Sequence, residues 1–359
     1  MARYLLRRLV TSVVVLFGLA VVTFLMTQVL PGDPARAAAG RNATAEQVAA
    51  VSARLGLDQP IWAQFPRYLG NLLHGDLGTS VFTQRPVLDD IAQALPSSIE
   101  LVLAAMLINV VIAVPLGVYA AYRRGRAADV CARLIVLFGA GVPVFWLGLM
   151  LQLVFADRLG ALPLTGQLGF GRAVPAITGM TSLDALLSGD PAAFGDAIAH
   201  LVLPAVTLAA AFVAVVARTV RSSMISVLDS DYVTLARATG ASERRVVIRH
   251  GLRNALVPVS TILGMQLGWM LGSTVLVESV FGRKGIGAYA VNAVLQNDLY
   301  AVIGSVLVIG VVFVLANIVV DLVQLWLNPR LRQPARAGAR PVDDTTAGLD
   351  EGVMEGAAP

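Results

Sequence analysis

The sequence is short of the residues from which soluble enzymes build their sites. One cysteine, Cys131, among 359 residues excludes a disulfide framework and any cysteine-rich zinc or iron–sulfur centre. The three histidines, His74, His200 and His250, are scattered, which argues against a histidine-built metal centre. Charged residues make up 14% of the chain, where an ordinary soluble domain carries about 25%. Lysine is almost missing: Lys284 stands against 26 arginines. No Walker A pattern occurs, so the chain does not by itself cradle a nucleotide phosphate. The GRKGIG run at 282–287 looks phosphate-loop-like but joins no strand to a helix, and its glycines are expected to shape a turn. Neither a G-x-S-x-G elbow nor H-E-x-x-H is present, which leaves serine-hydrolase and zinc-protease readings without support.

What is abundant is apolar. Hydrophobic residues reach 57% and the mean hydropathy is +0.74. A soluble monomer of this composition would expose apolar patches that such proteins rarely tolerate, and a disordered chain would not hold so many apolar residues. A bilayer-spanning helix needs about 20 mostly apolar residues. Six stretches qualify, at 9–30, 99–122, 130–155, 201–217, 256–277 and 302–326. The expected fold is an all-α polytopic membrane protein of six transmembrane helices. The first stretch is too long for a signal-peptide core, so it is read as an uncleaved span.

Arginine distribution orients the chain. With both termini in the cytoplasm, the four inner segments hold 18 basic and 10 acidic residues, and the outer segments 9 basic and 13 acidic. Residues 31–98 then form a small extracytoplasmic region with Trp62, Phe65 and Tyr68 available for a modest core. A second outer loop covers 157–200 and a third 279–300. The acids Asp58, Asp76, Asp89, Asp90, Asp157, Asp184, Asp190 and Asp196 are read as a solvated outer surface, and loop 157–200 as long enough to contact another protein. The membrane-spanning core is placed at 99–329, and the tail at 330–359 is expected to be disordered.

One inner segment, 221–254, carries the most specific pattern. Ser230 is positioned to N-cap a short helix whose first residue, Asp231, favours its positive end. Arg237 falls in its last turn, Gly240 is a natural left-handed stop, and Ser242 can cap a second helix. Ala236, Ala238 and Gly240 are small enough to admit a close neighbour, which suits insertion of the helix into a partner's groove. An ordinary basic inner loop is the competing reading.

The run Ala236-Arg237-Ala238-Thr239-Gly240 resembles the cytoplasmic signature of binding-protein-dependent ABC importer permeases in its dipeptide, oligopeptide and nickel form. Thr234 and Leu235 replace the Glu and first Ala of the generic motif, and His250 and Arg253 replace its later Ile and Pro. Blocks in the same order along the chain are similar to the B-type subunit of that group: ARYLLRRLV, LPGDPA, LGLDQP, GDLGTS, FWLGLML, LVLPAVTLA, VFGRKGIG and DLVQLWLNPRLR. The resemblance implies a type I ABC importer permease fold, working as one half of a heterodimer with a second homologous permease. It further implies two ATPase subunits or domains holding ATP and Mg, an extracytoplasmic binding protein, and no cofactor or nucleic acid on this chain. Asp231, Tyr232, Leu235, Ala236, Arg237, Ala238, Gly240, Arg244 and Arg245 would form the ATPase-coupling joint.

The substrate path is less legible. Ionisable groups within spans are functional candidates by default, which singles out Glu100 and Asp321. Asp321 could equally pair with an arginine, and Glu100 could reach the outer interface. Gln266 and Trp269, three apart in the fifth span, are candidates to line a pore. Gly264, Gly268 and Gly272 suggest helix packing. Short peptides are the leading substrate, with nickel, haem or another small solute as alternatives. A polytopic enzyme or a passive channel is the disfavoured reading from another class.

Overall fold

The computed structural model describes residues 2–29, 34–39, 43–56, 58–126 and 141–327. Among them the chain is helical throughout, with one isolated β-bridge between Thr79 and Pro86. The helices are α1 (Ala2–Val29), α2 (Pro34–Ala39), α3 (Ala45–Leu55), α4 (Ile61–Leu73), α5 (Val87–Tyr122), α6 (Val144–Leu151), α7 (Thr181–Leu187), α8 (Pro191–Leu228), α9 (Asp231–Ala238), α10 (Glu243–Arg245), α11 (Arg253–Phe281), α12 (Ile286–Leu295) and α13 (Leu299–Leu327). Two π-helical stretches, Gln152–Arg158 and Val246–Leu252, extend α6 and lead into α11. Five described segments are long and apolar enough to cross a membrane: Leu6–Val29, Val87–Tyr122, Pro191–Leu228, Glu243–Phe281 and Leu299–Leu322. The third expected span is described from residue 141 onward; its first part, like the tail at 330–359, lies outside the described residues.

Two spans are much longer than their apolar runs. α5 begins at Val87 rather than 99, after Pro86 and with Asp89 and Asp90 in its first turn, where acids complement the helix dipole. α8 starts at Pro191 rather than 201 and runs to Leu228. Asp190 caps it by accepting from the amides of Ala192 (3.0 Å) and Ala193 (2.9 Å), with Pro191 preset for the first helical position. Hydropathy marks where a helix leaves hydrocarbon, and neither helix stops there. The expected loop at 157–200 shortens accordingly, and part of what remains is α7.

The centre of the bundle is α5, α8 and α11. Leu101, Ala105, Leu208, Phe212, Met270 and Phe281 form one buried cluster, and Ala113, Val216, Val220, Met224 and Val259 another. α13 packs against α11, where a Cβ on Gly264 would meet Val320 and one on Gly268 would meet Phe313. These two glycines permit close helix contact; Gly272 has open space instead.

Among the described residues of 31–98, Trp62, Phe65 and Tyr68 do not make a core within the region. Trp62 is 80% exposed and α4 contains no buried residue. Phe65 and Tyr68 instead pack on Phe24 of α1, with ring centroids 5.1 and 5.5 Å apart. A segment this short buries more apolar surface against an existing helix than against itself.

Candidate functional site: two ends of one bundle

The site residues expected from sequence separate to opposite ends of the bundle. At one end, α9 follows α8 after a turn at Asp229 and Ser230. Val233 is its single buried side chain, set against the cluster formed by Met224, Leu228 and Val246. Tyr232 is partly exposed, and its hydroxyl accepts from Asn254 Nδ2 at 2.9 Å, tying α9 to the start of α11. The helix ends as expected at Gly240, whose φ of +84° belongs to the left-handed region that glycine enters without a steric cost. The amides of Gly240 and Ala241 donate to the carbonyls of Arg237 (3.0 Å) and Ala236 (3.1 Å), closing a Schellman motif.

Two caps differ from expectation. Ser230 occupies the N-cap position of α9, but its hydroxyl donates backwards to the Val227 carbonyl at 2.5 Å, capping the end of α8 instead. Ser242 likewise sits at the start of α10 without a side-chain cap bond. Each serine has two helix ends within reach, and sequence position does not choose between them.

The rest of α9 faces outward. Leu235 is 65% exposed, Asp231 and Ala238 are exposed, and Ala236 is half-buried. Arg237 pairs with Glu243 at 2.9 Å, both on the surface, while Arg244 and Arg245 are exposed beside it. Such surface pairs hold little energy, so this rim can rearrange around another protein.

The opposite end, where α7 and α12 lie, is knitted from buried polar groups. Glu100 is 6% exposed and does not reach an interface. Its carboxylate pairs with Arg283 Nη2 at 2.9 Å and accepts from the Ser182 amide (2.6 Å) and hydroxyl (2.5 Å). One side chain thus joins α5, α7 and the turn after α11. Ser98 donates to Glu278 at 2.5 Å and accepts from the Ile286 amide at 2.8 Å, while Glu278 also accepts from the Ala288 amide at 3.0 Å. Gln167 adds a hydrogen bond to Ser97. Burial lowers the Arg283 pKa and the facing Glu100 charge opposes that drop.

The GRKGIG run belongs to this network. A Cβ on Gly285 would fall 2.2 Å from the Glu278 carboxyl carbon, and one on Gly287 would fall 2.5 Å from Val275 Cα. These glycines do more than turn the chain: they let α12 approach α11. A cavity of about 620 Å³ opens beside them, lined by Asp90, Ser97, Gln167, Lys284 and Tyr289 among others.

Of the acids expected on a solvated surface, Asp58, Asp76, Asp89, Asp157 and Asp190 are exposed, whereas Asp90, Asp184 and Asp196 are drawn into the structure. Asp184 is buried and accepts from the Thr178 amide (2.7 Å), the Thr178 hydroxyl (2.6 Å) and the Gly179 amide (3.0 Å). Burial alone would raise its pKa, and these donors together outweigh burial and lower it. Asp196 accepts from the Gly169 amide at 2.6 Å, and Asp90 accepts from the Thr83 hydroxyl at 2.5 Å.

Gln266 and Trp269 do not share a surface. Gln266 is 3% exposed; its Oε1 accepts from Asn109 Nδ2 at 2.8 Å and its Nε2 donates to the Phe212 carbonyl at 3.3 Å. It is a polar tie between α5, α8 and α11. Trp269 is 59% exposed. A 300° step round a helix places near neighbours on one side of a broad stripe, and the boundary of the core falls between them. Asp321 forms an ion pair with Arg8, joining α13 to α1.

The sequence reading passed over Ser98, Asn109, Glu278 and Arg283. Asn109 and Glu278 carried a signal, as polar residues inside apolar runs. Arg283 carried none, because an arginine in a loop is ordinary.

Comparison with known proteins agrees with this architecture. The model for "Binding-protein-dependent transport system inner membrane component" matches residues 113–333, and the companion N-terminal model matches residues 1–104. The chain belongs to this family. It is 42% identical over 320 residues to the probable D,D-dipeptide transport system permease protein of Escherichia coli (strain K12), covering 89% of this chain and 94% of that one. It is 37% identical to the dipeptide transport system permease protein of Alkalihalophilus pseudofirmus, covering 92% and 100%. A glutathione transport system permease protein of Escherichia coli O6:H1 is 37% identical, with coverage of 92% and 99%. Among solved structures, a chain of the MetNI methionine ABC transporter in inward-facing conformations aligns at a TM-score of 0.49 and 18% identity, covering 66% of this chain and 96% of that one. The family member described is therefore a multi-pass membrane component of a transport system.

Proposed function

We propose that this permease subunit carries short peptides across the cytoplasmic membrane by alternating access, driven by ATPases that dock on α9. Both termini lie in the cytoplasm, where the basic segments concentrate, and the α7 and α12 end faces outward. A second, homologous permease completes the pore, ATP and Mg reside on the ATPases, and an extracytoplasmic binding protein delivers substrate. Loop 157–200 is the proposed contact for that binding protein. The substrate follows the relatives, which are named for dipeptides, di/tripeptides and glutathione.

One observation carries the coupling half of the reading. α9 rests on the bundle through a single buried side chain and exposes Leu235 and Arg237, and Arg244 and Arg245 of the following α10 are exposed as well. A short helix with an apolar residue amid basic neighbours fits a groove in another protein. Asp231, Tyr232, Ala236, Ala238 and Gly240 shape and hold that helix. Gln266, Glu100 and Asp321 are occupied by neighbours within the chain, and Trp269, which is exposed, remains the candidate to line the pore.

The test is Leu235→Glu, which changes an exposed side chain and leaves the bundle untouched. Membrane insertion is expected to persist while ATPases no longer co-purify and ATP-dependent uptake of a labelled dipeptide into proteoliposomes is lost. Normal uptake by the variant, or uptake without ATP, would overturn the coupling assignment. Uptake of nickel but not peptide would overturn the substrate alone.

A further inference from the structure

α4 is amphipathic in three sectors rather than two. At about 100° per residue, Gln64, Arg67 and Asn71 fall on one side of the helix. Ile61, Trp62, Phe65, Pro66, Tyr68, Leu69, Leu72 and Leu73 spread over the remainder as an apolar arc of about 160°. The polar side meets α3: the Arg67 guanidinium lies over Gly56, which caps that helix. Half of the arc meets the bundle. Tyr68 and Leu72 pack against Leu299, Ile303 and Leu307 of α13, and the Tyr68 hydroxyl donates to Thr23 Oγ1 at 2.9 Å. Among the described residues the other half is left open: Trp62 is 80% exposed and Leu73 87%, with Pro66 exposed between them.

The contacts with α1 fix the depth. Gln28 Nε2 donates to Gln64 Oε1 at 3.1 Å near the end of the spanning segment Leu6–Val29. Phe65 then lies 5.1 Å from Phe24 and 6.0 Å from Phe17, ring to ring, and Phe17 is at the middle of that segment. From Phe17 to Gln28 is a rise of about 16 Å, half the thickness of a hydrocarbon core. α4 therefore lies beside one leaflet's worth of α1, on which Val22, Leu25 and Val29 are themselves exposed.

We propose that α4 is embedded in the outer leaflet as an interfacial helix, with Trp62, Pro66 and Leu73 facing lipid acyl chains. The occupant is lipid because the open apolar sector belongs to a helix held at the depth of one half of a spanning segment, and because the polar sector is turned towards α3. Tryptophan near the level of Gln28 also suits the headgroup boundary, where its ring and N–H are both accommodated. Which leaflet it occupies rests on the proposed orientation; the depth does not. The 31–98 region is then an extracytoplasmic cap, α2 and α3, carried on a membrane-buried foot.

The experiment places single cysteines by Trp62→Cys, Leu73→Cys, Leu25→Cys and Asp58→Cys in a Cys131→Ser background, and spin-labels the full chain in phosphatidylcholine–phosphatidylglycerol liposomes. Collisions with oxygen, which concentrates in acyl chains, are compared with those of a water-soluble nickel chelate. Positions 62 and 73 are expected to match Leu25, with an oxygen-to-chelate ratio severalfold above that at Asp58. Chelate-dominated collisions at either position overturn the proposal by placing α4 in water. Exclusion of both reagents overturns it by placing a protein, such as a second permease, on this face. As an independent readout, brominated acyl chains should quench less of the chain's tryptophan fluorescence after Trp62→Phe; unchanged quenching counts against the proposal.

Discussion

The two ends of the bundle treat polar side chains in opposite ways. At the α7 and α12 end, Glu100, Arg283, Glu278, Ser98 and Asp184 are buried and bonded to one another or to backbone amides of different elements. At the α9 end, Arg244 and Arg245 are exposed, Arg237 has a surface partner, and a single valine seats the helix. Where the chain consumes its own polar groups, they hold elements together and are poor candidates for a moving substrate or partner. Where it leaves them on the surface around an apolar residue, another protein has something to grip. The comparison thus moves Glu100 from a candidate path residue to a structural tie, and leaves α9 as the proposed place where force enters.

The sharpest way to break that comparison is Glu100→Ala. It leaves the buried Arg283 guanidinium without its carboxylate and frees the Ser182 amide. Removing one partner of a buried pair costs on the order of 3–5 kcal/mol. We expect a marked drop in the unfolding temperature of the purified chain and protease cleavage within 159–190. An unchanged unfolding temperature would show that the network is not holding this end.

How much of this was legible in the sequence follows from the range of each signal. The spans and the left-handed stop at Gly240 are local, depending on apolar run length and one φ angle; that Asp321 could meet an arginine followed from its place near a membrane boundary, but its distant partner Arg8 did not. Hydropathy fell short at Val87 and Pro191, because a helix set by Pro86 or by the Asp190 cap continues beyond hydrocarbon. The Glu100–Arg283 pair spans 183 residues and the Asn109–Gln266 bond 157, distances over which periodicity carries no information. Ser230 and Gln266 misled for one reason: a polar side chain has several possible partners, and packing makes the choice.

The second test lies at the other end. Gly240→Trp places a bulky side chain at φ +84°, a conformation that costs an L-residue about 1–2 kcal/mol. A Cβ added here would meet nothing within 4 Å among the described residues. Dipeptide uptake is expected to be lost, with membrane insertion intact and an unfolding temperature far less affected than by Glu100→Ala. Normal uptake would remove the α9 end from the coupling role and erase the functional side of the comparison.

The smallest effect expected is a pH dependence confined to the α7 end. Asp184 has a folded-state pKa below its ordinary value of 3.8, because three donors from Thr178 and Gly179 favour the carboxylate over the burial that opposes it. A depressed acid contributes stability that is fully present above the unfolded pKa and is lost as pH falls through the folded one. Protease resistance of segment 159–190 should therefore hold from neutral pH down to about 4 and weaken below it. Asp184→Asn removes the titrating group and should lower resistance at neutral pH while flattening this acid limb, with uptake at the α9 end reporting no change of its own. An acid limb that survives in Asp184→Asn would show that the transition does not belong to Asp184.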